Sequence, residues 1–435
     1  MIRLSGPLSL KITRALVDDD RFEPEPNRVT LRNVSDPQSK EILDNALITY
    51  FKSPHSFTGE DVVELSCHGS PVLLRHLIDL ILHLDARAAG PGEFTLRALA
   101  NKRLNLSQAE AVRDLINAQT KTAARQAVRQ LKGELSSRLQ PVKESLIDII
   151  VPLESSLEFV EDDLPEIAAH QFDKKLADLV CRLETLASSF RAGRLLKEGL
   201  KVTLAGRPNV GKSSLFNSLL SADRAIVTDL PGTTRDSLSE LISLQGIPAL
   251  LTDTAGVRTS QDKIENLGVE RTRRAIADAD MVVVVIDGSL PLLPEDEDVL
   301  AEVAESPHLI ALNKSDLHSF RNDDPRWKMD HAQVIAISAK TGAGLDALRA
   351  AILEPFAAQG AHETDFLITD ARHFDLLRRA QDALSSSRAL LEQRATEELV
   401  LVGLYDALRL LGQITGETTP DDVLSQIFAT FCIGK

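Results

Sequence analysis

Apolar residues along the chain follow two different periods, and the changes of period divide the sequence into four segments. Short apolar runs bounded by turn residues, such as the run Val62–Leu65, predict strands and a small α+β domain. Apolar residues at helical spacing predict helices, and alternation of the two patterns predicts a mainly parallel sheet with helices on both faces. In chain order, the α+β, first helical, alternating and second helical segments cover residues 1–100, 101–197, 198–355 and 356–435.

The two helical segments are expected to form one domain. Ser107 and Glu110 have the spacing of a capping box, and Val112 and Ile116 then lie on one helical face. The helical pattern returns after Pro355. We therefore predict a multidomain protein with α/β and all-α parts, in which the alternating segment is inserted into a discontinuous helical domain.

The run Gly206–Ser214 matches the phosphate-binding P-loop, G-x-x-x-x-G-K-[ST]. A strand-like run precedes it and a helical stretch follows, which is the context that this motif requires. Gly206 and Gly211 allow the backbone to curl so that its N–H groups point at phosphate oxygens. Lys212 can reach the β- and γ-phosphates, and the hydroxyl of Ser213 can bind Mg²⁺.

Further motifs follow in order, and they indicate which base is bound. The Asp of the run Asn313–Asp316 can accept from two neighbouring donors of guanine, which predicts GTP rather than ATP, and the run Ser338–Lys340 would close over the base. In the run Asp253–Gly256, the Asp is placed to hold Mg²⁺ through water and the Gly N–H to sense the γ-phosphate. Thr234 is the expected second Mg²⁺ ligand.

These motifs together supply the predicted GTP-binding residues. From the motifs they are Asn209, Val210, Gly211, Lys212, Ser213, Ser214, Thr233, Thr234, Asp253, Thr254, Ala255, Gly256, Asn313, Lys314, Asp316, Ser338, Ala339 and Lys340. A family resemblance, given below, adds Thr228, Asp229, Leu230, Pro231 and Gly232. Lys212 and Asp253 are also predicted to take part in catalysis.

One expected catalytic residue is missing from this set. Ras-like enzymes place a Gln after the Gly of the second switch to orient the attacking water, and Val257 occupies that position here. Another group must therefore orient the water. Arg258 and Glu265 follow in a polar stretch, but from the residues alone a solvated loop charge is the favoured interpretation of each.

Composition limits the partners that the chain can bind directly. The 435 residues allow several domains, and the net charge of −15 argues against a generic basic nucleic-acid binder, so any contact with RNA needs a local patch or a partner. Cys67, Cys181 and Cys432 have neither metal-binding nor disulfide spacing, which fits a reducing cytosol. No apolar run reaches the roughly 20 residues of a membrane span. The expectation is a cytoplasmic protein without a membrane partner.

Several motifs together resemble the tRNA modification GTPases of the MnmE (TrmE) family. The resemblance covers essentially the whole chain. It implies an N-terminal folate-binding domain, a discontinuous helical domain and an inserted Ras-like G domain. The motifs that carry it are the P-loop and the runs Phe57–Asp61, Pro91–Phe94, Leu106–Ala111, Asp229–Asp236 and Phe431–Lys435.

The resemblance also implies a reaction and its partners. Together with an FAD-dependent partner, MnmG (GidA), the family modifies C5 of the wobble uridine of certain tRNAs to (carboxymethyl)aminomethyluridine. The N-terminal domain would bind 5-formyltetrahydrofolate or methylenetetrahydrofolate as the one-carbon source and would form a homodimer. The G domains would pair when GTP and K⁺ are bound, and the full assembly would be a heterotetramer with MnmG that receives the tRNA.

The resemblance also implies roles for individual residues. Ser213 and Thr234 match the Mg²⁺ ligands, and Glu265 matches the residue that orients the water. Cys432 matches a cysteine with a proposed part in the modification chemistry. The K⁺ site matches Asn209, Thr228, Leu230 and Thr233. The folate ligands match Arg3, Glu64, Arg103 and Lys435, which the residues alone would classify as surface charges.

The start of the chain differs from the family pattern. Met1 to Gly6 resemble the end of the first strand-turn unit of the family, and the strand and Gly-rich turn that would precede them do not occur in this sequence. Either the start codon is misassigned, or the sequence is shortened, or this homologue has lost an edge strand. Loss of a strand would leave a sheet edge uncovered. That would affect the folate site and the dimer interface, but not the GTPase.

An alternative function is a ribosome-assembly GTPase that acts as an RNA-binding switch. That hypothesis predicts a basic KH-like domain with a GXXG loop after the G domain. The sequence has no such loop in a basic setting there, and the chain is acidic. A third hypothesis, a dimerisation scaffold, would leave the hydrolytic motifs without a purpose.

Overall fold

The computed structural model describes residues 1–158, 166–223, 239–253, 273–321, 333–356 and 366–417. The chain forms two compact units. Unit 1 consists of Met1–Arg113, Gln130–Lys143 and Leu408–Lys435. Unit 2 consists of Asp114–Arg129 and Glu144–Ala407. The boundaries of the four sequence segments stay predictions.

The described residues form strands and helices in the order that the sequence patterns predict. The strands are β1 Ile2–Ser5, β2 Val29–Ser35, β3 Ile42–Phe51, β4 Val62–Ser66, β5 Leu200–Ala205, β6 Ser239–Leu244, β7 Ile247–Asp253, β8 Met281–Asp287, β9 His308–Asn313 and β10 Gln333–Ala336. The helices are α1 Ser9–Leu16, α2 Pro71–Leu82, α3 Glu93–Ala100, α4 Leu106–Asn117, α5 Lys121–Leu131, α6 Glu134–Glu158, α7 Glu166–Ser188, α8 Phe190–Glu198, α9 Lys212–Asp223, α10 Pro294–Val303, α11 Leu345–Leu353, α12 Ala371–Glu392 and α13 Glu397–Thr415.

Unit 1 contains an antiparallel sheet with the strand order β1-β4-β3-β2. Side chains alternate between its faces, so that Ile48 and Leu65 point to a core that also receives Leu16 of α1 and Leu77 of α2. Helices therefore cover one face of this sheet. The predicted α+β character of the N-terminal segment is confirmed.

Helix α4 begins with a capping box, but not at the predicted residues. The Oδ1 of Asn105 accepts from the N–H of Gln108 at 2.9 Å, and the Oε1 of Gln108 accepts from the N–H of Asn105 at 3.0 Å. Ser107 already lies inside the helix and donates its hydroxyl to Asn105. The prediction of Ser107 and Glu110 was wrong because Asn is an equally good N-cap and Gln an equally good third-position partner.

Unit 2 contains a sheet with the order β10-β9-β8-β5-β7-β6. All its neighbouring strands are parallel except the hairpin of β6 and β7. Every residue of β8 is buried: Val283 and Val285 pack on the side of α9 and α11, while Val282 and Val284 pack on the side of α10. The predicted mainly parallel sheet with helices on both faces is confirmed.

Some helices of unit 2 precede the strands of this sheet in the sequence, and others follow them. Helix α12 packs along α7, where Arg388 and Asp173 form an ion pair at 2.6 Å. Helix α13 follows, and the Ser387 hydroxyl of α12 donates to the carbonyl of Val400 at 2.9 Å. Helical segments before and after the sheet thus form one packed group, as expected for a discontinuous helical domain.

The chain enters the sheet region and leaves it at one place. Strand β5 follows directly after α8, and residues 366–370, which precede α12, lie against α8. Lys197 pairs with Asp370 at 2.7 Å, and the Ser189 hydroxyl accepts from the N–H of Ile368 at 3.0 Å. Gly193 packs so closely that a Cβ there would lie well inside van der Waals contact of the Ile368 carbonyl.

Burial raises the pKa of the Asp370 carboxyl at this junction, but nearby His373 and Lys197 outweigh burial and hold that pKa well below its ordinary value. The carboxylate therefore stays charged and paired at neutral pH. Of the helices within the described ranges, none has the length and apolar character that crossing a membrane requires.

Candidate nucleotide-binding site

The P-loop connects the carboxyl end of β5 to α9, in the middle of the sheet of unit 2. Gly206 has φ +144° and Gly211 has φ +101°. A Cβ at Gly206 would collide with the carbonyl of Val285, and one at Gly211 would collide with the Asn313 amide. Both positions therefore require glycine, because of the backbone angle and because of the close approach of neighbouring strands.

The ammonium of Lys212 lies over this loop. Its Nζ donates to the carbonyl oxygens of Gly206 and Arg207, at 2.7 and 2.8 Å. Helix α9 begins at the same residue, so the positive end of its dipole faces the same space. A buried lysine, a helix N-terminus and curled backbone N–H groups together make an anion site suited to phosphates.

The ends of two elements bring oxygen ligands together beside the loop. The hydroxyl of Ser213, in the first turn of α9, donates to Oδ2 of Asp253, the last residue of β7, at 2.9 Å. Hydroxyl and carboxylate oxygens are the ligands that Mg²⁺ prefers, and the ion commonly binds through one or two such groups plus water and phosphate. These two residues therefore fit the predicted Mg²⁺ site.

The base-recognition motifs surround a pocket of about 210 Å³. The side chain of Asn313 holds this pocket together, since its amide donates to the carbonyl of Val210 at 2.8 Å and its Oδ1 accepts from the N–H of Ala339 at 2.9 Å. The hydroxyl of Ser338 donates to Asp316 at 2.7 Å. The structure thus brings the P-loop, the Asn313–Asp316 run and the Ser338–Lys340 run to one place.

The charge state of Asp316 suits recognition of guanine. The hydrogen bond from Ser338 holds the pKa of the Asp316 carboxyl below its ordinary value, and Lys340 and Lys314 act in the same direction. The carboxylate therefore remains an acceptor at neutral pH. An ionised acceptor is what the N–H donors on one edge of guanine require.

Two carboxylates near the site were not singled out by the sequence reasoning. Asp296, which is only 1% exposed, accepts from the P-loop residue Arg207 at 3.1 Å and from the N–H of Leu293. Asp287 ends β8 and pairs with Lys314 at 2.6 Å. Asp287 did carry a signal, since it follows a buried strand as Asp253 does. Asp296 carried none, because its partner lies 89 residues away.

The predicted folate residues in unit 1 are only partly brought together. Arg3 of β1 and Glu64 of β4 are directly paired in register, and their side chains form an ion pair at 2.6 Å. Arg3 also lines a cavity of about 460 Å³ next to Phe94. The side chain of Arg103 instead packs against Gly59.

The remaining predicted site residues lie outside the described part of the chain. They include the switch residues, the predicted water-orienting residue and both C-terminal residues: Thr228, Asp229, Leu230, Pro231, Gly232, Thr233, Thr234, Thr254, Ala255, Gly256, Glu265, Cys432 and Lys435. Their roles stay predictions.

A mainly parallel sheet with a P-loop after β5, and with the Asn313–Asp316 and Ser338–Lys340 runs around one pocket at the neighbouring strand ends, defines a P-loop GTPase. Two family models match the chain: the MnmE helical domain over residues 106–432 and the GTP-binding protein TrmE N-terminus over residues 1–103. The chain therefore belongs to the MnmE family of tRNA modification GTPases. As a member of that family, it is an enzyme that hydrolyses GTP.

Individual relatives agree with this assignment. The tRNA modification GTPase MnmE of Koribacter versatilis (strain Ellin345) is 43% identical over 440 residues, which cover 100% of this chain and 96% of the relative. The protein of the same name from Aquifex aeolicus (strain VF5) is 38% identical over 436 residues, with the same coverage. Among solved structures, the G domain of the T. maritima FeoB iron transporter is 28% identical, covers 36% of this chain and 97% of its own, and has a TM-score of 0.28.

Proposed function

We propose that this chain is a K⁺-dependent GTPase that works with the FAD-dependent protein MnmG (GidA) to modify C5 of the wobble uridine of certain tRNAs. A tetrahydrofolate bound by the N-terminal domain supplies the one-carbon unit. The observation that carries the folate part is the Arg3–Glu64 pair, which brings a cation and a carboxylate together beside Phe94, on the sheet face opposite the core formed with α1 and α2.

The nucleotide site supports hydrolysis by positioning and charge. Lys212 would bind the β- and γ-phosphates from its place over the loop. Ser213 and Thr234 would bind Mg²⁺ directly, and Asp253 would hold it through water. The bound cations neutralise charge on the phosphate chain. Glu265 orients the attacking water in place of the missing Gln.

The K⁺ site in this proposal includes Asn209, which has a left-handed backbone with φ +66° and an exposed side chain. Asn is one of the few residues that adopt this conformation readily. Its side-chain oxygen binds K⁺ together with Thr228, Leu230 and Thr233. A K⁺ ion held there would supply the charge stabilisation that an arginine finger supplies in other GTPases.

The part of this sheet face in unit 1 that β2 and β3 form is exposed, and it supports homodimerisation next to the folate site. Arg3, Glu64, Thr49 and Val29 are register partners across the four strands, so they lie in one row on this face. The next row carries Leu31 opposite Leu47. Val29, Leu31 and Leu47 are exposed, and a group of exposed large apolar side chains on one sheet face is typical of an interaction surface.

The remaining partners follow from charge and chemistry. Because the chain carries a net charge of −15, contact with tRNA is made mainly through the heterotetramer with MnmG. Lys435 completes the folate site, with Arg103, and Cys432 acts in the modification chemistry. The proposed location is the cytoplasm.

Reconstitution of the reaction tests this proposal. The full chain is mixed with MnmG, FAD, GTP, Mg²⁺, K⁺, methylenetetrahydrofolate, unmodified tRNA and an amine donor, which is ammonium in one reaction and glycine in another. The wobble nucleoside is identified by mass spectrometry. We expect the modified uridine only in the complete mixture, with a large loss when Na⁺ replaces K⁺. Equal modification without the folate, or without GTP, would contradict the proposal.

A further inference from the structure

Asp287 contacts the base-recognition loop, residues Asn313–Asp316, but it does not line the pocket of about 210 Å³. It is the last residue of β8 and the register partner of Asn313, the last residue of β9. Its side chain is only 4% exposed. Its Oδ2 accepts from the ammonium of Lys314 at 2.6 Å, and its Oδ1 accepts from the N–H and the hydroxyl of Ser289, at 3.0 and 2.6 Å.

The residue that Asp287 holds is in an unusual conformation. Lys314 has φ +70°, a left-handed angle that residues with side chains rarely adopt. It lies between Asn313, which is hydrogen-bonded to the P-loop, and Asp316, which lines the pocket. An error in the conformation of Lys314 would therefore misplace both neighbours at once.

The residues that follow Asp287 are also hydrogen-bonded to the segment that contains this loop. The N–H of Gly288 donates to the carbonyl of Asn313 at 2.9 Å, and the carbonyl of Gly288 accepts from the N–H of Arg321 at 2.9 Å. Segment 287–289 thus contacts the loop through both backbone and side chain. The pairing with Lys314 adds the only charged member to that set of described contacts.

The surroundings of Asp287 stabilise its ionised form. Burial raises the pKa of this carboxyl, but the hydrogen bonds from Lys314 and Ser289 outweigh burial and hold its pKa below the ordinary value. A charge-assisted bond to an ammonium is about twice as strong as a neutral one. An amide at this position would accept from Lys314 only as a neutral group.

Lys314 itself lines the 210 Å³ pocket, together with Asp316 and Lys340. Asp287 does not touch that pocket, so it acts on a bound base only through Lys314. The alternative is that Asp287 merely caps the turn after β8, with no effect on what the pocket binds.

We propose that Asp287 is a positioning residue for guanine recognition, which fixes the side chain of Lys314 as a wall of the base pocket. The inference rests on the proposed nucleotide site. It predicts that loss of the Asp287 charge weakens binding of the base while leaving the phosphate site intact.

The test compares a ligand that has a base with one that has none. GDP affinity and dissociation rate are measured on the full chain, and tripolyphosphate is measured by competition with a fluorescent guanine nucleotide. For Asp287→Asn we expect GDP affinity to fall about tenfold, mainly through faster dissociation. Tripolyphosphate affinity should stay within about twofold, and in GTP hydrolysis KM should rise far more than kcat.

Two further variants keep the test decisive. Ser289→Ala removes one partner of Asp287 on a partly exposed residue and should weaken GDP binding about twofold to threefold, so it decides the matter if Asp287→Asn does not fold. Glu302→Gln is the matched control. Glu302 lies on α10 and forms a surface ion pair with Arg273, so its loss should leave GDP binding unchanged.

The outcomes separate this inference from the proposed site. If Asp287→Asn and Ser289→Ala bind GDP as tightly as the parent chain, the positioning role is overturned while the nucleotide site stands. Equal losses of affinity for GDP and for tripolyphosphate would show that Asp287 is only a structural cap, and this result would also overturn the positioning role. If the parent chain binds no guanine nucleotide, the nucleotide site itself fails.

Discussion

The side-chain amide of Asn313 donates to the backbone carbonyl of Val210 at 2.8 Å, across 103 residues of sequence. This bond joins the loop proposed to recognise the base to the loop proposed to bind the phosphates. Asn313 also accepts from the N–H of Ala339, so one buried side chain connects three motifs. Correct spacing between base site and phosphate site therefore depends on this residue.

We expect Asn313→Ala to lower GDP affinity at least tenfold. Both hydrogen bonds would be lost, and leaving a buried donor and acceptor unpaired costs about 1–3 kcal/mol each. Isothermal titration calorimetry measures the change. Asn217→Ala on the exposed side of α9 is the control, and an Asn313→Ala affinity within twofold of the parent would show that Asn313 does not link the motifs.

The K⁺ role of Asn209 is best tested with glycine. Asn209→Gly removes the side-chain oxygen but accepts φ +66° without strain, whereas Asn209→Ala adds strain to the loop. GTP hydrolysis of Asn209→Gly should lose its stimulation by K⁺ while GDP affinity changes little. Phosphate release is measured in K⁺ and in Na⁺, and full K⁺ stimulation in this variant would exclude the role.

Binding of folate should depend on Glu64. Glu64→Gln keeps the shape of the side chain but removes the charge that pairs with Arg3, so we expect calorimetric binding of 5-formyltetrahydrofolate to weaken at least tenfold. Glu25→Gln, which breaks an exposed ion pair with Arg28 in the same unit, is the control. Unchanged folate binding in Glu64→Gln would remove this residue from the site.

Acid should destabilise unit 1 through Glu93. The hydrogen bond from Arg87, assisted by the Gly90 N–H and Arg97, lowers the pKa of Glu93 from 4.5 to about 2. A carboxyl with a lowered folded-state pKa contributes stability above pH 4.5, and this contribution is lost as the pH falls from 4.5 toward 2. Scanning calorimetry should show a falling midpoint across that window.

The variant Glu93→Gln separates this effect from general acid denaturation. Its midpoint should be lower than that of the parent at pH 6, and it should depend less on pH between 4.5 and 2. The exposed Glu25→Gln variant should follow the parent curve. A Glu93→Gln curve parallel to that of the parent would contradict the assignment.

Replacement of Gly193 should destabilise the junction between α8 and residues 366–370. Alanine favours a helix over glycine by about 1 kcal/mol. The added Cβ would, however, collide with the Ile368 backbone, and overpacking typically costs about 1–3 kcal/mol or more. The cost of the collision should exceed the gain in helix propensity, so the thermal midpoint should fall by several degrees.

Gly69→Ala is the matched control, because a Cβ there meets nothing within 4 Å. It should leave the midpoint unchanged or raise it slightly, since alanine restricts the unfolded chain. A Gly193→Ala midpoint equal to that of the parent would mean that the junction can separate without loss of stability.

The nucleotide site could be predicted because its motifs are short and contiguous. Each follows a buried strand, and the carboxyl ends of parallel strands meet at one edge of a sheet. Asp253, Asn313 and Ser338 therefore had to lie near the P-loop. The fold class was predictable for the same reason, since hydrophobic period reports directly on strands and helices.

Other contacts had no local signal. Arg207 and Asp296 meet only because the P-loop and the start of α10 happen to lie side by side in the folded sheet. The row from Arg3 to Val29 depends on strand order, which alternation of apolar residues does not encode. At α4 two overlapping capping patterns competed, and only the geometry of Asn105 decided between them.

The contact of α8 with residues 366–370 has a consequence for how such a protein could have been assembled. Entry and exit of the sheet-bearing stretch lie side by side, joined by Lys197 with Asp370 and by Ser189 with Ile368. A gene for a GTPase could be spliced into a helical ancestor at this place in one event, since both new termini would fall at a single gap in the host. The same gap offers protein engineers a position at which another catalytic cassette could be exchanged for the natural one.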